Sequence, residues 1–340
     1  MVLSVYNFDL DSVLKEIENI GAKRVLLQFP EGLKQYAIPI VESLRRSSNA
    51  IFFISMDPCY GGCDVALDDG LRLKADLIVH FGHTEFLTDS KPPIPIIYIP
   101  VLSNLSLNGL ISKLLEKIRG YSKIGLLASV QHVHMLETLQ HILEEHGFEV
   151  HIGSLCGRVK FRGQILGCDV CSALQVASKV DVFIVLSGGD FHALGVALST
   201  GKPVLVLDPF RNEVRDISKL VKRTLSLRWH YISIAREASV FGILIGIKPG
   251  QFKLEAALKA ADLIISHGKK YYLFTVRDFS ENMLIPFKNV DVFVSAACPR
   301  IAIDNAPFHG KPVITLTELF IALSGNLDPT SLRRILYDPY

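Results

Sequence analysis

The chain has almost no net charge. Its 340 residues carry 36 Lys and Arg against 34 Asp and Glu, a formal +2, which leaves no electrostatic footprint for general nucleic-acid binding. Nor does it open on a targeting signal: MVLSVYNFDLDSV has neither a basic n-region nor an apolar h-region. No uncharged apolar run reaches the length of a membrane span, and no low-complexity tract interrupts the chain. These absences predict a soluble, cytoplasmic protein. Cysteine is scarce, and in a reducing compartment the six present are expected as buried thiols or metal ligands rather than disulfides. What remains is a sequence 49% hydrophobic and 21% charged, long enough for two or three domains with buried cores.

Short apolar runs alternate with helix-length amphipathic segments throughout. The runs are continuous rather than alternating, which suits parallel strands buried on both faces. Three of them resemble one another: ADLIVHFGHT from Ala75, VDVFIVLSGG from Val180 and VDVFVSAACP from Val290. Each has an Asp in second place (Asp76, Asp181, Asp291), and each is followed by a Lys-Pro phrase leading into another apolar run: KPPIPIIYIPV, GKPVLVLDPF and GKPVITLTEL. Earlier runs keep the same interval of a little over a hundred residues. RVLLQFPEG, KIGLLASVQ and VFGILIGIK read as a first strand, and AIFFISMD, FEVHIGSL and KYYLFTVRD as a second. The expected fold is α/β: three similar parallel-sheet domains, spanning 1–118, 119–232 and 233–340. Charged helical segments, LNGLISKLLEKIRG and VRDISKLVKRTLSLRWHYISIAREA, are expected to join them.

In open parallel sheets, functional groups sit on loops that leave the carboxyl ends of strands. Cys59 and Cys63 (SMDPCYGGCDVA) follow the second strand of the first unit, and Cys168 and Cys171 (RGQILGCDVCSA) that of the second. Cys298 (SAACPRIAID) ends the third strand of the third unit. A pseudo-threefold arrangement would bring these edges, and three thiolates, to one centre. Thiolates hold iron–sulfur clusters, and three of them on a four-iron cluster leave one iron open. The Cys-x3-Cys…Cys-x2-Cys…Cys pattern is a poor match to zinc ribbons, and Cys156 reads as a spare thiol.

At these residues the sequence resembles the archaeal diphthamide synthase family. The phrases that carry the resemblance are GAKRVLLQFPEGL, CYGGCD, ADLIVHFGHT, VQHVHML, RGQILGCD, SGGDFHALG with DPF, RWHYISIA and VFVSAACPRIAID, and they run along nearly the whole chain. The resemblance implies a 4Fe-4S cluster held by Cys63, Cys168 and Cys298, S-adenosylmethionine bound at its open iron, and reductive cleavage of the bond from sulfur to the γ-carbon of methionine. The 3-amino-3-carboxypropyl radical would add to C2 of one histidine of elongation factor 2. It further implies a homodimer and an electron donor. Cys59 and Cys171 are departures from the family pattern, and each stands near enough to a family ligand to substitute for it. Quinolinate synthase has a similar three-domain, open-iron plan, and a supporting, non-catalytic subunit is a third reading.

Other residues divide between function and structure. Arg300, two after Cys298, would hold the methionine carboxylate as a fork or form a salt bridge. Asp304 would pair with Arg300 or take the substrate amino group. His83 stands seven residues past its Asp, as Cys298 does, and so belongs at the same edge of its own sheet. Gln131, beside His132 and His134, follows a first strand and would face the site. Ser187, Gly188 and Gly189 would bind a carboxylate or ribose through free N–H groups. His192 reads as structural, Pro30-Glu31-Gly32 as a turn, and Trp229, beside Arg228 and Arg236, as interdomain packing.

Overall fold

The computed structural model describes residues 5–87, 91–304, 311–325 and 328–336. Gly310, which opens the third Lys-Pro phrase, lies outside the described residues. Each unit builds one sheet around four parallel strands. They are Arg24–Gln28, Ile51–Ile54, Leu77–Phe81 and Ile96–Ile99 in the first unit. The second has Lys123–Ala128, Glu149–His151, Val182–Leu186 and Val204–Asp208. The third has Val240–Gly246, Lys270–Val276, Val292–Ser295 and Val313–Thr315. In all three sheets the spatial order is second, first, third, fourth, with every neighbouring pair of these strands parallel. The chain therefore reverses direction across each sheet between its first and third strands, which opens a crevice at the carboxyl edge. The central strands are buried on both faces, as their unbroken apolar runs require.

The repeated phrases have one structural meaning. In each unit the shared Asp fastens the amino end of the third strand to that of the first. Asp76 accepts from the N–H groups of Lys23 and Arg24 at 2.8 and 2.9 Å, and Asp181 from Ser122 and Lys123 at 3.1 and 2.9 Å. Asp291 accepts from Ser239 and Val240, both at 2.9 Å. The lysine of the Lys-Pro phrase caps carbonyls at the same edge: Lys202 donates to Val180 O at 2.9 Å, and Lys311 to the carbonyls of Phe287, Lys288 and Val290. The repeat thus secures amino edges and leaves the carboxyl edges unconstrained.

The second and third sheets share one large apolar core, which includes Val185, Phe241 and Val294, whereas the first sheet packs its own around Leu27, Phe29 and Phe81. Across the shared core runs a buried ion pair. The guanidinium of Arg228 meets the carboxylate of Glu318 through two nitrogens, and both side chains are fully buried. Remaining Arg228 donors reach Ala302 O at 2.6 Å and Val313 O at 2.8 Å. Glu318 also accepts from Thr315 N–H at 2.7 Å, in a capping box that starts the helix Leu316–Ser324. Sequence had placed Arg228 in a basic linker; it is instead the charge that joins the long helix Ser218–Glu237 to the third unit. Trp229 packs against the same core, partly buried.

The segment from Val214 was expected to be helical from its start. Its first residues instead form a strand, Glu213–Asp216, antiparallel to Val204–Asp208, and the helix begins at Ser218. Asp208 causes the turn: its Oδ1 accepts from Phe210 and Arg211 N–H, Asn212 takes a φ of 52°, and Arg215 then pairs back onto Asp208 and Asp190. Among the described residues no helix is long and apolar enough to cross a membrane.

Two predictions follow from these contacts. Glu318→Gln leaves the buried Arg228 charge uncompensated and is expected to cost about 3–5 kcal/mol in urea unfolding; a loss below about 1 kcal/mol would contradict the pairing. The strand-end N–H groups hold the Asp76 and Asp181 carboxyls below their ordinary pKa. A lowered folded pKa gives stability that is present above the unfolded value and lost as pH falls through the folded one. Replacing both by Asn should therefore lower stability at neutral pH, by an amount that shrinks as pH drops below about 4. A stability gap unchanged between pH 6 and pH 3 would refute this.

Candidate active site

The carboxyl edges of the three sheets meet at one cavity of about 600 Å³. Cys63, Cys168 and Cys298 all line it, one from each unit, and so do His83, Gln131, Arg300 and Asp304. Ser187, Gly188 and Gly189 do not. Their turn serves itself, since Ser187 Oγ donates to Gly189 O at 2.7 Å.

Close contact between units holds the cavity. The turn after the first strand of the third unit sits directly on Cys63. Gly250 N–H donates to Cys63 O at 2.8 Å, and a Cβ on Gly250 would come within 2.6 Å of the Cys63 Cα and Cβ. The side chain of Gln251 donates to Cys63 Sγ at 3.4 Å. Lys248, nearly buried, ties the same turn to Asp64 at 2.7 Å and to Asp278 at 2.5 Å. Between the first and second units, Gln131 donates to Gly82 O at 2.8 Å and Gln164 to Thr84 Oγ1 at 3.0 Å. The second and third units touch through Phe191, whose ring fills the space a Cβ at Gly167 would take and carries the Arg300 guanidinium 3.8 Å above its face.

Burial governs the electrostatics. It pushes the Cys63 thiol up to about 11, against the pull of the Gln251 hydrogen bond, and Cys168 up to about 12. Cys298 is raised by burial too, opposed by the Arg300 backbone N–H and guanidinium. The thiols also raise one another, as groups facing a common space must. Burial lowers His83 to about 4 and His192, which Arg300 also repels, to about 3, so both imidazoles are neutral. Arg300 is itself buried: Nε donates to Asp304 at 2.9 Å, Nη2 donates to the same carboxylate, and Nη1 has no hydrogen-bond partner among the described residues.

The other three cysteines are spoken for. Cys59 is buried behind the cavity wall, its Sγ 3.9 Å from His80 Nε2. Cys59, His80 and His83 come close enough to hold a metal ion, and hydrogen bonds fix the two imidazoles of the group. Gln28 donates to Asp64 O, so its Oε1 accepts from His80 Nδ1 at 2.9 Å. That tautomer leaves His80 Nε2 to accept from His83 Nδ1, also at 2.9 Å. Cys156 and Cys171 are joined in a disulfide, with Cα atoms 6.0 Å apart. This corrects three expectations: that no disulfide forms, that Cys156 is spare, and that Cys171 can stand in for Cys168. Asp169 is the physical cause. Its carboxylate accepts from both Arg158 and Cys171 N–H and so folds the 156–158 loop onto the start of the helix Cys171–Val176.

The family model for diphthamide synthesis proteins matches residues 29–331. The chain belongs to that family. It is 34% identical over 315 residues to a 2-(3-amino-3-carboxypropyl)histidine synthase of Pyrococcus horikoshii, covering 92% of this chain and 89% of that one. It is 28% identical to subunit 1 of the Homo sapiens enzyme of that name, covering 94% of this chain and 72% of the relative. The crystal structure of Dph2 from Pyrococcus horikoshii with a 4Fe-4S cluster superposes with a TM-score of 0.85 at 31% identity, covering 95% of this chain and 92% of that one.

As a diphthamide-family site, the cavity has the donor set for an open-cornered cluster: three free thiols line it and a fourth does not. Sequence reasoning overlooked Lys248, Gln251, Phe191 and Gln164. A positional signal existed for the first two. Gln131 was singled out because it follows a first strand, and 248–251 occupies the same place in the third unit.

The disulfide is directly countable. Unfolding without reductant followed by iodoacetamide should add four carbamidomethyl groups by mass spectrometry, and six after reduction. Six without reductant would remove the bond.

Proposed function

We propose that this chain is a 2-(3-amino-3-carboxypropyl)histidine synthase. It transfers the 3-amino-3-carboxypropyl group of S-adenosylmethionine to C2 of a histidine of elongation factor 2, in the cytoplasm, as a homodimer served by a separate electron donor. Its three units span 1–118, 119–232 and 233–340. The observation that carries this reading is the cavity itself: one free thiol from each of three sheets, beside a buried arginine with one unpartnered nitrogen.

Cys63, Cys168 and Cys298 would hold the cluster, and their raised pKa values mean that loading displaces protons. When bound, the cluster supplies the electron for reductive cleavage of S-adenosylmethionine. The chain does the rest. Arg300 keeps two nitrogens on Asp304 and offers Nη1 to the methionine carboxylate, a charge-assisted bond formed away from water. Asp304, held by Arg300, takes the amino group. Gln131 and neutral His83 line the substrate's side of the cavity. Apolar side chains, including Phe86, Ile165 and Phe279, exclude water that would quench a reactive fragment. The dimer reading draws support from an exposed edge strand, Lys270–Val276, where Tyr272 and Leu273 stand clear of the core.

The test is anaerobic. Reconstituted protein, dithionite, S-adenosylmethionine and archaeal elongation factor 2 are combined and the factor is weighed. The expected result is a gain of one 3-amino-3-carboxypropyl group on a single histidine. Ala at Cys63, Cys168 or Cys298 should abolish cluster absorbance and transfer, whereas Cys59→Ala should keep both. Arg300→Lys should load normally and raise KM for S-adenosylmethionine about tenfold or more, through loss of a charge-assisted bond worth about 1.5–3 kcal/mol. A loaded cluster with S-adenosylmethionine uncleaved would defeat the proposal and make quinolinate synthesis the next assay. Full activity in Cys298→Ala would instead favour a supporting subunit.

A further inference from the structure

Gln251 is placed at the contact between the third unit and the first. The backbone N–H of Gln251 donates to Lys248 O at 3.0 Å, its neighbour Gly250 is pressed against Cys63, and Lys248 is clamped between two carboxylates. The result is a single side-chain donor from the third unit, Nε2, resting 3.4 Å from the sulfur that the first unit contributes.

We propose that Gln251 tunes the reduction potential of the cluster by donating a hydrogen bond to the Cys63 thiolate. This rests on the reading of Cys63 as a cluster ligand. One-electron reduction adds negative charge that is shared by the sulfurs. An N–H dipole aimed at one sulfur stabilises the reduced form more than the oxidised form, so it raises the potential. The thiols are largely removed from water, and low local dielectric strengthens the effect. Cys298 has a donor too, the backbone N–H of Arg300, which no side-chain substitution removes. Gln251 is therefore the adjustable member. Its consequence is access to a donor: the cluster must be reducing enough to cleave a sulfonium yet still reachable by a one-electron protein donor. Gln251 is a positioning residue in this scheme, since it acts through Cys63.

The experiment is a potentiometric titration of the reconstituted full-length chain, followed by the paramagnetic signal of the reduced cluster. Gln251→Met keeps the length and removes the donor. It should load iron like the parent and shift the reduction equilibrium about tenfold toward the oxidised form, which is about 59 mV more negative for a one-electron couple. Gln251→Lys, which restores an N–H donor, should return the potential to the parent value or above. Gln251→Glu, with an acceptor in place of the donor, should lower it at least as far as Met does. Equal midpoints for the parent, Met and Glu forms at equal iron content would overturn the proposal. Failure of the underlying reading looks different: Cys63→Ala would then load a cluster as well as the parent does.

Discussion

Everything at the site depends on one close approach, backbone against backbone, between the third unit and the first. A turn with no side chain at Gly250 is seated on the α-carbon of Cys63, and the salt bridges of Lys248 hold it there. Without that seat the thiols would belong to three separate sheets. A Cβ at this point would press within 2.6 Å of Cys63, where the neighbour is backbone and cannot swing aside. The other unit boundaries are more forgiving. Gln131 and Gln164 bridge the first and second units through single hydrogen bonds, and the second and third are fused by apolar packing.

Each unit divides its labour between its two edges. The amino edge carries the repeated Asp, which makes the same bonds in all three units, and the Lys-Pro lysine, which caps carbonyls in the second and third. The carboxyl edge carries no shared phrase at all, and there the units differ: cysteine after a second strand in the first two, after a third strand in the last. His83 takes the place in the first unit that Cys298 takes in the third, and there it donates its Nδ1–H to His80.

This division explains what could be read from sequence. The three sheets and their strands were legible, because buried parallel strands write continuous apolar runs and the Asp and Lys-Pro phrases mark the period; the convergence of carboxyl edges was inferred from the repeat and the family resemblance. The strand pattern placed Cys59, Cys63, Cys168, Cys171 and Cys298 at carboxyl edges, and only the family resemblance selected Cys63, Cys168 and Cys298 among them. The Cys156–Cys171 bond was not, since the argument from compartment says nothing about what Asp169 does to the local chain. The burial of Arg228 was hidden as well. Its partner Glu318 lies 90 residues away, and a basic helix stretch looks solvated until that partner is found. The turn at Ser187, read from its glycines as a loop with free N–H groups for a ligand, lies outside the cavity lining.

The unequal anchoring of the three cysteines has a geometric consequence. Two of them hang from one kind of loop and the third from another, so the repeat of the fold is not a symmetry of the site. A ring of three equivalent arms would offer a bound molecule three interchangeable orientations. Here the arm bearing Cys298 leads straight into Arg300 and Asp304, and neither of the other arms has such a pair. An asymmetric substrate therefore meets a single distinguished direction, set by the order in which three similar units follow one another in the chain.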